Sequence, residues 1–331
     1  MRRYEAAVRT LDSVVRMVAL YRELERARVD QSIHGVVLVG GRMLRASRRV
    51  GVLATSMNPL SRAHVALARS ARTSAGLDAI CWVATRVTVD KEGVQRASLV
   101  DRLAQTSAAS RALGDGLALL DGGLYVEQAR TMRALLAPDA AVALIVGFDK
   151  IVQIFDPRYY SDRDSALREL FAEAEVIVAP RGDSGESELQ ALLARPENIE
   201  FADQVRFAPL ESRYRADSST EARELASMGG HVADLRRLLT PEGLALANVT
   251  GAYELAHATS GDGWGDRYTA RMTIIAALAS LASADLRGLP SLHELVAMSD
   301  ADDARGAALR NWVRRPAVRT SERLRIALQA R

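Results

Sequence analysis

Arg49-Val50-Gly51-Val52-Leu53-Ala54-Thr55-Ser56-Met57-Asn58-Pro59-Leu60-Ser61-Arg62-Ala63-His64 reads as a strand, a turn and the start of a helix. Val50 to Ala54 is an apolar run of strand length. Asn58-Pro59 is turn chemistry, and the proline restrains Asn58 to extended geometry. Ser61 then suits the N-cap, which makes His64 the third helical residue, close to the helix mouth. A helix start presents unpaired N–H groups and a positive dipole end, so the turn is a seat for an anion.

The same alternation continues outward from this stretch. Apolar runs predict strands over 49–54, 78–86, 116–120, 141–147, 175–180 and 204–209. Helical spacing falls between them, over 62–74, 96–113, 124–136, 162–173, 186–194 and 219–228. Strands alternating with helices imply an α/β fold, a Rossmann-like parallel sheet with helices on both faces. Ligands of such sheets bind beyond the carboxyl ends of the strands, where the strand order reverses. Residues 4–29 read as one amphipathic helix and Val36 to Val39 as a short strand, so 1–48 is expected to be an N-terminal helical extension. Residues 49–254 form the α/β domain, and 255–331 a C-terminal helical segment with helices over 268–284 and 291–298.

A second anion seat lies far downstream, at Asp217-Ser218-Ser219-Thr220-Glu221-Ala222-Arg223. Ser218 and Glu221 fit a capping box. Ser219 and Arg223 stand four apart and share a helical face, where a hydroxyl and a forked guanidinium suit phosphate oxygens. A third stretch is Gly147-Phe148-Asp149-Lys150, followed by Phe155-Asp156-Pro157-Arg158-Tyr159-Tyr160. There the glycine permits close backbone approach.

Composition narrows the function classes. Forty-eight percent apolar content describes a globular chain, and no run approaches a membrane span. A net charge of +3 does not argue for a nucleic-acid partner. The opening stretch keeps Glu5, Arg9, Asp12 and Arg16, so it does not read as a signal peptide, and the expected compartment is cytoplasmic. The single cysteine, Cys81, excludes an internal disulfide, and the other histidines have no metal-ligand spacing, so no resident metal site is expected. Of 44 basic residues only Lys91 and Lys150 are lysines. The segment Arg305–Arg331 carries eight arginines and one acid; it reads as a solvated helix balancing Asp300, Asp302 and Asp303, with a basic face for RNA or a partner as the alternative, and a homo-oligomer of the protein stays open.

The three stretches, in this order, resemble those of the HxGH-type nucleotidyltransferases, and most closely the nicotinamide/nicotinate mononucleotide adenylyltransferases. That family carries Gly-x-Phe-Asn-Pro-x-(Thr/His)-x-x-His after the first strand and Ile-Ser-Ser-Thr-x-x-Arg near the end. Asn58, Pro59 and His64 match the first, and Ser218, Ser219, Thr220 and Arg223 the second. Ser61, Ala63, Met57 and Asp217 depart from the pattern. The resemblance covers residues 49–254 and implies adenylyl transfer from ATP to a mononucleotide phosphate, with Mg²⁺ arriving on the ATP. It implies catalytic roles for His64, Arg223 and Lys91. ATP and phosphate contacts would come from Ser56, Met57, Asn58, Ser61, Gly147, Asp149, Ser218, Ser219 and Thr220. Tyr159, Tyr160 and Trp82 are the aromatics expected against the acceptor's pyridine ring. Another phosphate acceptor, or a nucleotide-binding regulator with weakened chemistry, stays open at this point.

Overall fold

The computed structural model describes residues 1–29, 34–86, 97–230, 232–254, 266–281, 286–316 and 319–329. Seven strands form one sheet: β1 (Gly35–Val39), β2 (Arg49–Ala54), β3 (Ala79–Thr85), β4 (Gly116–Leu120), β5 (Ala141–Gly147), β6 (Ala174–Ala179) and β7 (Val205–Phe207). The order is β1-β4-β3-β2-β5-β6-β7. Every pairing is parallel except β1 with β4. The chain winds outward from β2 in one direction through β3 and β4, and in the other through β5, β6 and β7. The reversal therefore falls between β2 and β5, and their carboxyl ends open the crevice where such sheets take ligands.

Both faces of the sheet are covered, which explains the near-continuous apolar strands. Along β5, Val142, Leu144 and Val146 face one core with Leu167, Leu170 and Phe171. The alternate residues Ala143 and Ile145 face the other, with Val65, Ala68 and Ala71 of the helix Arg62–Ala75. The period of two is what sends neighbours to opposite faces.

A third core lies beside the sheet and joins the two ends of the chain. Leu11 and Met17 pack there with Leu246, Ile275, Leu292 and Trp312. Val100 and Ala104 of the helix Leu99–Leu113 belong to the same core, so this helix is enclosed between the sheet and the terminal helices. The strand β1 also draws residues before 49 into the sheet. The terminal segments thus share one core, and the N-terminal segment is not purely helical.

Three local expectations change. The helix over 4–29 is broken into Arg2–Leu11 and Val14–Val29. The break is held by others: the Leu11 and Asp12 carbonyls accept from Arg271 and Leu292, and the Asp12 side chain accepts from the His293 N–H. Gly147 caps a helix, Phe148–Phe155, which was not among the expected helices, so Asp149 lies in a first helical turn. The arginine-rich tail is not simply solvated. It forms helices Ala304–Arg314 and Ser321–Gln329, which bury Leu309, Trp312, Val313 and Leu324. Each such side chain is worth about 1.5–3 kcal/mol of burial. Deleting Arg305–Arg331 is accordingly expected to lower the melting temperature by about 10 °C or more, read by calorimetry beside the full chain. No helix among the described residues is long and apolar enough to cross a membrane.

Candidate active site

The turn after β2 folds as its residues dictate. Ser61 caps the helix Arg62–Ala75, its Oγ accepting from the His64 N–H at 3.3 Å. His64 returns the contact, because its Nδ1 accepts from the Ser61 N–H at 3.1 Å. An Nδ1 lone pair held by a backbone donor leaves the neutral imidazole's proton on Nε2. Nε2 stands 3.1 Å from Thr55 Oγ1. The cap therefore fixes both the tautomer and the direction of a half-buried N–H donor.

The downstream motif is stitched onto this loop. Ser218 caps the helix Ser219–Ser227 through the Glu221 N–H. Ser219 Oγ donates to the Pro59 carbonyl at 2.8 Å, across 160 residues of sequence. Arg223 Nη1 donates to the Asn58 carbonyl at 2.7 Å, and Nη2 to Thr220 Oγ1 at 3.1 Å. These side chains first hold the loop; their remaining groups face the crevice.

The crevice is a cleft of about 410 Å³ at the carboxyl ends of β2, β5 and β6. Ser56, Ser61 and His64 line it from the first motif, and Ser218, Ser219, Thr220 and Arg223 from the second. Gly147, Tyr159 and Tyr160 line it from the third. Three helix starts, capped by Ser61, Gly147 and Ser218, thus meet at one cavity. Among the described residues its lining cations are Arg102, Lys150, Arg181, Arg215 and Arg223, against a single lining acid, Asp217. Burial raises the Asp217 carboxyl pKa, with Arg237 opposing the shift. This excess of positive charge favours an anion in the cleft. The described residues contain no group of three or more histidines, cysteines or acids able to hold a metal.

Four expected contacts are corrected. Trp82 is 0% exposed, and its indole N–H donates to Asp115 at 3.1 Å, so it faces a core and not a ligand. Met57 is 1% exposed, with positive φ, and its sulfur accepts from the Thr106 hydroxyl. Asn58 is 2% exposed, and its Oδ1 accepts from the Tyr253 hydroxyl at 2.6 Å. Both shape the loop from behind instead of lining the cleft. Asp149 points to solvent in an ion pair with Arg181 at 2.9 Å. Lys91 lies outside the described residues. Replacing Trp82 with Phe is expected to leave turnover within twofold while lowering stability by about 1–3 kcal/mol, since the buried Asp115 carboxylate loses a donor; activity and denaturant curves on the same preparation check it.

The sequence reading missed Thr55, Arg102 and Tyr253. Thr55 receives His64 Nε2. Arg102 lines the cleft while its Nη1 donates to the Ser56 carbonyl at 2.8 Å and its Nε to Ala97 at 3.1 Å. Burial pushes its pKa below the ordinary arginine value. Tyr253 has its phenol pushed well up, first by burial. The helix Leu99–Leu113 carries two arginines, and nothing in the sequence separates the buried Arg102 from the exposed Arg111; nothing local marks Tyr253 either.

The chain is similar to nicotinate-nucleotide adenylyltransferases. A protein of Gloeobacter violaceus named a probable nicotinate-nucleotide adenylyltransferase is 29% identical over 213 residues, covering 62% of this chain and 97% of the relative. One of Synechococcus sp. (strain JA-3-3Ab), named likewise, is 28% identical over 192 residues, 56% of this chain and 86% of the relative. No family model matches the chain. Among solved structures, the Plasmodium falciparum nicotinic acid mononucleotide adenylyltransferase complexed with NaAD aligns with TM-score 0.47 and 15% identity. The alignment spans 62% of this chain and 97% of that one. The resemblance carried by the motifs is borne out by the named relatives. These relatives also leave more than a third of the present chain unmatched.

Proposed function

We propose that this chain joins the adenylyl group of ATP to the phosphate of a pyridine mononucleotide, nicotinate mononucleotide first, and releases pyrophosphate in NAD synthesis. The observation that carries this reading is the meeting of three helix starts, one imidazole donor and five cations at the sheet's reversal point. The named relatives support the same activity.

In this reaction a phosphate oxygen of the mononucleotide attacks the α-phosphorus of ATP. The new P–O bond forms as the bond to the β-phosphate's bridging oxygen breaks, and pyrophosphate carries away the charge. No covalent enzyme intermediate is required. The protein's task is to hold two anions in line and to meet developing charge with fixed donors. His64 Nε2–H and the amides after Ser61 serve the α/β region. The amides after Ser218, with Thr220 and the outer face of Arg223, serve the leaving pyrophosphate. Gly147 lets a nucleotide approach the backbone, since a Cβ there would meet no atom within 4 Å. Tyr159 and Tyr160 form a wall for the acceptor ring. The described residues offer no cage for a resident metal, so Mg²⁺ would come as part of the ATP substrate and would offset its phosphate charge; the cytoplasm is the proposed compartment.

The test is pyrophosphate release with ATP and a panel of acceptors: nicotinate and nicotinamide mononucleotides, phosphopantetheine and flavin mononucleotide. Turnover is expected with the pyridine nucleotides, fastest with nicotinate. ATP binding without turnover on any acceptor would make the chain a nucleotide-binding regulator instead.

A further inference from the structure

The helices outside residues 49–254 meet the cleft-bearing body at a buried polar cluster, not at an apolar seam alone. Its centre is Asp101, in the first turn of the helix Leu99–Leu113 and fully buried. Arg271 Nη2 donates to Asp101 Oδ1 at 2.9 Å and also to the Leu11 carbonyl. The Tyr268 hydroxyl donates to Asp101 Oδ2 at 2.8 Å and accepts from the Ser98 N–H at 2.5 Å. Arg271 Nε is buried with no hydrogen-bond partner among the described residues. Such a pair costs desolvation, and apolar residues of similar volume often serve stability as well or better. Packing alone does not explain it. Orientation does, because two directed bonds from a terminal helix, Arg271 Nη2 on Oδ1 and the Tyr268 hydroxyl on Oδ2, fix the rotation of the helix that carries the carboxylate.

The residues that follow Asp101 show what that rotation controls. Arg102 holds the Ser56 carbonyl. One turn on, Gln105 Nε2 donates to the Met57 carbonyl, and its Oε1 accepts from the Leu60 N–H at 3.2 Å. Thr106 donates to the Met57 sulfur. The backbone from Ser56 to Leu60 is thus held by this one helix on its inner side, and by Ser219 and Arg223 on its other side.

We propose that Arg271 and Tyr268 are positioning residues for the nucleotide loop: they set the helix Leu99–Leu113 through Asp101, so that Arg102 and Gln105 hold Ser56–Leu60 in its binding shape. The terminal helices are on this account a working part of the cleft. The inference rests on the adenylyl-transfer reading for its consequence in catalysis, but its structural claim is tested separately.

Tyr268→Phe removes one hydroxyl and keeps the ring. Hydrogen exchange of the Leu60 amide, measured on the full chain without nucleotide, is expected to speed up about tenfold, the effect of one lost charge-assisted bond. Strand amides of β2 and β5 should keep their rates. The loss of kcat/KM for ATP should be similar, and should shrink below twofold when Arg102→Lys is already present, because both changes act through one contact chain. The double variant Asp101→Leu/Arg271→Met replaces the pair with apolar groups, should melt near the parent, and should still free the Leu60 amide. Unchanged Leu60 exchange in both variants overturns the proposal. So do losses in kcat/KM that simply multiply. Absence of turnover in the parent chain on every acceptor overturns the functional reading instead, and leaves the exchange result to decide the positioning claim.

Discussion

His64→Ala is expected to lower kcat by about 10²- to 10³-fold, the effect of removing one preorganised donor from a developing charge, about 2.7–4 kcal/mol. Two roles must be separated, because His64 also closes the helix cap through Nδ1. Loss of the cap alone costs about 0.5–2 kcal/mol of stability and should not touch turnover in the folded fraction. His64→Gln separates them. Glutamine is a normal partner at the third position of a capping box, so it restores the bond to the Ser61 N–H. It cannot at the same time place a donor where Nε2 stands beside Thr55. The Gln variant should therefore melt close to the parent while remaining deficient in kcat, and the Ala variant should be deficient in both. ATP affinity should change much less than kcat in either. Steady-state kinetics with melting curves on the three proteins decide the matter, and a Gln variant with near-parental kcat would reduce His64 to a cap.

The parts of this molecule that were legible in the sequence are those written in short-range patterns. The apolar runs at Val50–Ala54 and Val142–Gly147 are strands because parallel strands buried on both faces need no polar alternation. Ser61 and Ser218 announced helix starts by chemistry that acts within four residues. The helix Phe148–Phe155 was not among the expected helices, although Phe148, Ile151, Ile154 and Phe155 recur at helical spacing. What could not be read is what depends on partners far away in sequence. Asn58 and Met57 sit in a motif associated with phosphate, yet Tyr253 and Thr106 draw their side chains backwards into the core. Trp82 is in an aromatic-poor chain, where a tryptophan invites a stacking role, but Asp115 claims its N–H. The arginine-rich tail looked solvated by charge count. Its apolar minority, Leu309, Trp312 and Leu324, lies on one side and decides its placement.

Arg223→Lys is expected to reduce kcat/KM for ATP by about 10²-fold, and Arg223→Ala by more. The reason lies in what one guanidinium does here. Its Nη1 holds the Asn58 carbonyl and its Nη2 holds Thr220 Oγ1, so the first and last motifs share a single planar fork. The same fork lines the cleft beside the start of the helix Ser219–Ser227. Lysine keeps the charge but offers one compact ammonium in place of a rigid planar array. It can satisfy the Asn58 carbonyl or an anion in the cleft, and cannot span both with Thr220. If it turns to the carbonyl, the loop stays in place and pyrophosphate loses its partner; kcat then falls with little change in melting. If it turns to the anion, a carbonyl behind the loop loses its donor at about 1–3 kcal/mol, and melting falls without nucleotide but recovers when ATP is added. Either pattern, read by melting curves with and without ATP beside the kinetics, supports a residue that joins loop and anion. A lysine variant with parental kinetics and parental melting would show that Arg223 supplies only a charge that any cation can replace, and that the Ser219 bond to the Pro59 carbonyl suffices to hold the loop in place.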